Sequence, residues 1–91
     1  MIFAKVVGSV VSTRKDENLT GMKLLLCKET DHSGKPRETY HIAVDAVQAG
    51  EGDLVLLAYG SSARMTDLTR NAPIDAIIMA IIDRVSLGND Q

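Results

Sequence analysis

The chain has 91 residues and a net charge of −2, with acidic and basic side chains mixed along its length. The chain therefore has no basic stretch of the kind that is typical of nucleic-acid-binding proteins. Its length predicts a single domain spanning residues 1–91. Cys27 is the only cysteine, which excludes an internal disulfide and fits a reducing compartment. Because a domain this small is marginally stable alone, we expect it to gain stability by association with other subunits.

The sequence carries no signal for export or for membrane insertion. Residues 1–5 contain no charged segment followed by an apolar run, and no apolar stretch approaches the ~20 residues that span a bilayer. We therefore expect a cytoplasmic protein without a membrane partner.

Turn-forming residues recur at short intervals, which predicts an all-β domain. The first predicted strand covers residues 2–13 and is apolar on both faces, so both faces need to be covered. Gly8 in its middle predicts a bend or a bulge. The second predicted strand covers residues 22–29, and a hairpin loop at residues 31–36 leads to an antiparallel third strand at residues 37–45.

The second half of the chain begins with a glycine-defined turn at residues 49–53, followed by an apolar strand at residues 54–59. The isoleucine-rich segment at residues 74–85 fits a helical stripe as well as a β-branched strand. The interpretation adopted is a short helical turn at residues 73–76 and a last strand at residues 78–85. Five strands with this insert predict a small, closed, five-stranded OB-like β-barrel.

Several segments, in the same order and spacing, resemble the bacterial microcompartment vertex family, which includes the carboxysome and ethanolamine-utilisation vertex proteins. The segments are distributed along nearly the whole chain and are residues 4–15, 19–25, 43–56, 60–64, 72–76 and 81–83. One departure is Gln48, at a position where many members of the family carry glycine.

The resemblance implies a five-stranded barrel that forms a homopentamer, with no catalytic activity and no cofactor. It also implies a position at the five-fold corners of a microcompartment shell in the bacterial cytoplasm, next to hexameric shell proteins. A cyclic pentamer uses a head-to-tail interface, so each subunit presents two different surfaces to its two neighbours.

The candidate site residues are therefore residues at the subunit interface or near an axial pore. They are Val7, Gly8 and Val11 in the first strand, Gly50 and Gly52 in the turn, and Gly60, Ser61, Ser62 and Arg64 after the fourth strand. The 50–53 turn lacks the third glycine and the following helix of a phosphate-binding loop. Arg64 fits an intersubunit ion pair and a solvated surface position equally well.

Other functions find little support in the sequence. Cys27, His32 and His41 lack the close spacing of a structural zinc site, and we expect no bound metal. Ser61 and Ser62 do not lie in a Gly-x-Ser-x-Gly segment, and no convergent catalytic set is evident. The rival hypotheses are a small enzyme and a barrel that binds single-stranded nucleic acid, but the latter uses stacked aromatic residues, which are only 3% of this chain.

Overall fold

The computed structural model describes residues 1–11, 17, 21–60 and 76–88. The regular elements in this part of the chain are five β-strands, which confirms the all-β prediction. The strands are β1 (Ile2–Val10), β2 (Leu24–Thr30), β3 (Pro36–Asp45), β4 (Leu54–Tyr59) and β5 (Ala76–Ile81). None of the described residues forms a helix of the length and hydrophobicity that a bilayer span requires.

The five strands close into a barrel, as the sequence predicts, and their order around it is β1-β2-β3-β5-β4. Four of the pairings are antiparallel, whereas β3 and β5 run parallel. The parallel ladder consists of two residue pairs, Val44 with Ile77 and Asp45 with Ile78. It is therefore the shortest of the five ladders described.

The predicted boundaries agree best for β4, where the turn residues on both sides delimit the strand. The last strand begins at Ala76 and ends at Ile81, so the prediction of residues 78–85 placed it too late. Residues 73–75 of the predicted helical turn lie outside the described residues, while Ala76 belongs to β5. Burial explains the difference, because Ala76, Ile77 and Ile78 are all buried in the barrel wall.

Gly8 lies at an irregularity in β1, as predicted from its mid-strand position. Val6 pairs with Cys27 and Gly8 pairs with Leu26, so Val7 is an extra residue without a partner in β2. A bulge of this kind bends a strand and increases its twist, which helps a small barrel to close. It also shifts the alternation of inward and outward side chains between the two halves of β1.

Alternation along the strands fills the inside of the barrel with small and branched apolar side chains. The inner core consists of Ala4, Val6, Leu25, Cys27, Ala43, Ala49, Val55, Leu57, Ala76 and Ile78. A second apolar cluster consists of Val44, Ala58 and Ile77, with Met22, Leu24 and Met79 packed against it. Since neighbours in a strand point to opposite faces, the second cluster lies on the outer side of the wall.

Candidate subunit interface

The candidate turn at residues 50–53 is fixed to β1 by main-chain hydrogen bonds. The Gly52 amide donates to the Val6 carbonyl at 2.8 Å, and the Val6 amide donates to the Asp53 carbonyl at 2.9 Å. Gly52 has a φ of +94°, which favours glycine, and the Gly50 amide donates to Asp53 Oδ2 at 2.8 Å. The carboxylate of Asp53 therefore accepts the hydrogen bond that the Gly50 amide would otherwise offer to a ligand. The geometry is that of a tight turn rather than of a phosphate-binding loop.

The loop that precedes this turn is organised by the nearly buried carboxylate of Asp45. Its Oδ1 accepts hydrogen bonds from the amides of Val47 and Ala49, both at 3.1 Å. Gln48 between them has a φ of +60°, in the left-handed region that residues with a Cβ seldom occupy. Glycine, which has no Cβ, would adopt this conformation without that cost.

Gly60 follows the last residue of β4 and has a φ of +66°. A Cβ at this position would meet no other atom within 4 Å, so the cost of replacing this glycine is conformational rather than steric. The remaining candidates of this segment, Ser61, Ser62 and Arg64, lie outside the described residues.

The candidate residues of β1 lie on the surface of the barrel. Val7, in the bulge, is 38% exposed, and Val11, directly after β1, is 90% exposed. A Cβ on Gly8 would meet open space, so no close contact within the subunit demands glycine there.

Val7 has no register partner, but it follows the buried Val6 and faces outward, as Lys5 does. Lys5 pairs with Lys28, and Lys28 pairs with Tyr40 across β1, β2 and β3. Two residues further along the sheet, Gly8, Leu26 and Ile42 form the next row. We call the surface formed by Lys5, Val7, Lys28, Tyr40 and Ile42 the outer patch.

The outer patch exposes two large side chains, one aromatic and one aliphatic, in the middle of a sheet. Tyr40 is 54% exposed and Ile42 is 55% exposed, although both lie in regular β structure. The Nζ of Lys28 lies 5.3 Å from the centroid of the Tyr40 ring, within the range of a cation–π interaction. Tyrosine is enriched at protein interfaces, and an exposed group of apolar side chains marks an interaction surface.

The residues considered for a metal site have other surroundings. Cys27 is buried, and burial, with a smaller contribution from Asp45, raises the pKa of its thiol to about 11, so it is protonated at neutral pH. His32 is exposed in the hairpin loop, and Nε2 of His41 lies 2.8 Å from Glu29 Oε1. Among the described residues, no three His, Cys, Asp or Glu side chains come together in a metal-binding cluster.

Sequence reasoning missed a chain of polar side chains at one end of the barrel, in which Glu29 and His41 are partly buried and Tyr59 is exposed. His41 contacts Glu29 through Nε2 and Tyr59 through Nδ1, with its ring centroid 5.5 Å from that of Tyr59. Which atom donates in each of these two contacts depends on the tautomer of the His41 ring. Each of these three side chains lies two residues from an inward-facing one in the same strand: Glu29 from Cys27, His41 from Ala43 and Tyr59 from Leu57. This alternation was the sequence signal that could have placed them on the inner face.

The hairpin loop predicted between β2 and β3 is present, and Asp31 holds it. Asp31 Oδ1 accepts hydrogen bonds from the Ser33 hydroxyl at 2.6 Å and from the amides of Ser33 and Lys35, both at 2.9 Å. These bonds, that from the Ser33 side chain first, lower the pKa of Asp31 to about 2.

A small closed barrel with an exposed apolar and basic patch is typical of a structural domain that assembles with other subunits, rather than of an enzyme with a catalytic centre. The sequence matches, over residues 1–83, the family described as Ethanolamine utilisation protein EutN/carboxysome. The chain belongs to this family, which confirms the resemblance drawn from its segments.

The relatives and solved structures agree with this assignment. The chain is 47% identical to the carboxysome shell vertex protein CcmL of Synechocystis sp. over 89 residues, which cover 98% of this chain and 89% of the relative. The structure of the carboxysome subunit CcmL superposes with a TM-score of 0.92 at 47% identity, covering 99% of this chain and 94% of that one. The GrpN pentameric microcompartment shell protein from Rhodospirillum rubrum gives a TM-score of 0.85 at 39% identity, covering 96% and 99%. These names give the nucleic-acid-binding hypothesis no support.

Proposed function

We propose that this chain is a non-catalytic structural protein that forms a ring of five copies at the five-fold corners of a bacterial microcompartment shell. The observation that carries the proposal is the near-complete match, in sequence and in barrel structure, to shell vertex proteins and to a pentameric shell protein. The shell, and with it this chain, would lie in the bacterial cytoplasm.

The physical role of a five-fold unit is to introduce curvature. A flat layer of hexagonal tiles cannot close on itself, whereas five-fold units at its corners allow closure. A ring of five arises from a head-to-tail interface whose rotation closes after five copies. The hexameric shell proteins that form the flat facets are therefore the partners we propose beyond the ring itself.

A small barrel with apolar side chains on both sides of its wall is suited to such an assembly. The whole chain, residues 1–91, acts as one domain in this proposal, and the ring supplies the burial that a domain of this size lacks. No cofactor and no metal ion takes part. The candidate residues keep their proposed places at the interface or near the axis: Val7, Gly8, Val11, Gly50, Gly52, Gly60, Ser61, Ser62 and Arg64.

Native mass spectrometry tests the stoichiometry. At micromolar concentration the purified protein should have a mass five times that of the 9.8 kDa chain, with and without prior treatment with a chelator. A monodisperse monomer would refute the ring. Loss of the five-copy species on chelation would refute the claim that no metal ion takes part.

A further inference from the structure

The two lysines of the outer patch face each other without a compensating acid. Lys5 and Lys28 are direct cross-strand partners in β1 and β2, and side chains in this relation have Cβ atoms about 5 Å apart. Like charges placed in this way destabilise a sheet. Among the described residues, neither lysine forms an ion pair, whereas Lys23 lies 3.8 Å from an oxygen of Asp45.

The space beside these lysines is a groove rather than a flat surface. It has a volume of about 200 Å³ and is lined by Lys5, Val7, Lys28, Thr30, Gly34 and Pro36. Its walls therefore combine two ammonium groups with the exposed valine of the β1 bulge. A carboxylate on a short apolar stem fits this combination of charge and surface.

Resting on the proposed function, we propose that the outer patch binds a carboxylate side chain of a second copy of this chain. In the ring, the carboxylate lies in the groove between Lys5 and Lys28. The same neighbour covers the apolar side chains of the patch on β1 and β3. The two lysines are thus half of an intersubunit ion-pair site, and their mutual repulsion is relieved only on assembly.

The chain itself supplies the complementary charge, which favours a second copy over an unrelated partner. It has 12 acidic and 10 basic side chains. Exposed carboxylates without an ion pair in the described part of the chain are those of Glu17, Glu38, Glu51 and Asp83. A head-to-tail ring joins two unlike surfaces, and a basic patch facing an acidic surface meets that requirement in every interface.

Lysine acetylation of the assembled protein tests the proposal without altering the chain. The rates at Lys5 and Lys28 are compared with that at Lys35, which is exposed in the hairpin loop, each normalised to the rate in the denatured chain. In a sample shown by native mass spectrometry to contain five copies, we expect Lys5 and Lys28 to react at least about tenfold more slowly than Lys35. Rates within about twofold of Lys35 in that five-copy sample would overturn the proposal.

Charge reversal provides a second, independent test. The double variant Lys5→Glu/Lys28→Glu should weaken association at least about tenfold, since it would bring like charges together in every interface. The control variant Lys35→Glu should assemble as the wild type does. Five-copy assembly of the double variant at wild-type concentration would overturn the proposal.

The outcomes also separate this proposal from the function on which it rests. A wild-type protein that is not a five-copy ring contradicts the proposed function itself. A ring in which Lys5 and Lys28 become protected only after a hexameric shell protein is added assigns the patch to that protein and overturns the proposal of a second copy. If the double variant does not fold, the acetylation rates of the wild type still decide.

Discussion

The hydroxyl of Tyr59, the last residue of β4, is hydrogen-bonded to Nδ1 of His41 in β3, although these two strands are not neighbours in the barrel. The strand between them is β5, whose described ladder with β3 has only two residue pairs. On its other side, the His41 ring is held by Glu29 in β2. The polar chain therefore ties three strands together beside the shortest ladder of the barrel.

Removing the Tyr59 hydroxyl should weaken this closure. Tyr59→Phe keeps the ring beside His41 but removes the hydroxyl that contacts Nδ1, and because Tyr59 is 37% exposed we expect a cost of about 0.5–1.5 kcal/mol in the free energy of unfolding. For a domain of this size, 1 kcal/mol corresponds to a fall in Tm of about 4–8 °C, measurable by calorimetry at fixed protein concentration. The control is Ser86→Ala, which removes an exposed hydroxyl outside both this polar chain and the outer patch. Equal Tm values for the two variants would contradict the role given to Tyr59.

Glycine at position 48 should be tolerated better than in an ordinary loop position. Gln48→Gly relieves a left-handed conformation that costs about 1–2 kcal/mol, which offsets the extra entropy that glycine gives to the unfolded chain. We expect an unchanged or higher urea midpoint. Ala46→Gly, in the same loop, gains no such relief and should lower the midpoint by the equivalent of about 0.5–1 kcal/mol. A larger loss at position 48 than at position 46 would be inconsistent with the backbone described.

Gly60 and Gly88 allow the conformational cost of a side chain to be separated from crowding. Neither position would bring a Cβ within 4 Å of another atom, but only Gly60 has a positive φ. Gly60→Ala should therefore lower stability by about 1 kcal/mol, and Gly88→Ala should leave it nearly unchanged. Chemical denaturation of the two variants measures the difference, and equal stabilities would argue against the conformation at Gly60.

The thiol of Cys27 should make stability fall at alkaline pH. Its pKa rises from 9.0 to about 11 on folding, mainly through burial. Its contribution is complete below pH 9 and is lost as the pH rises towards 11, because the unfolded chain releases the proton first. Compared with Cys27→Ala, the wild type should lose more stability between these pH values, as measured by urea unfolding. Parallel pH profiles would contradict a buried thiol.

The same burial should suppress thiol chemistry. At pH 8, alkylation of Cys27 by iodoacetamide should be at least about 100-fold slower in the native protein than in the denatured chain, because the pKa is raised by about two and the side chain is covered. Mass spectrometry of timed samples gives both rates. Native alkylation at the denatured rate would show that Cys27 is accessible.

Local sequence signals were sufficient to predict the features that depend on residues close together in the chain, namely the turns and the bulge. The 49–53 turn and the glycine at position 60 delimit β4, and Gly8 indicates the bulge of β1. The bounds of β5 were less accurate, because its run of isoleucines has no turn residue to mark where burial begins and ends. In such a run, helical and extended periodicities match equally well.

The relationships between distant strands could not be read from the sequence in the same way. The parallel pairing of Val44 with Ile77 and the contact of Tyr59 with His41 depend on how the barrel closes. The row of Lys5, Lys28 and Tyr40 depends on the register of three strands, which a one-residue slip would move to the other face. The alternation of residues along a strand indicates which side chains share a face of the sheet, but not which of them are in contact.

Electron microscopy of cells that lack this protein tests the proposed corner role most directly. The flat facets should remain, because other shell proteins form them, but closure should fail and give elongated or open shells. The variant Val7→Asp should have the same effect, since it places a charge in the proposed interface of every subunit, whereas Lys35→Ala should leave shells closed. Normal closed polyhedra in a deletion strain that encodes no second vertex protein would contradict the account.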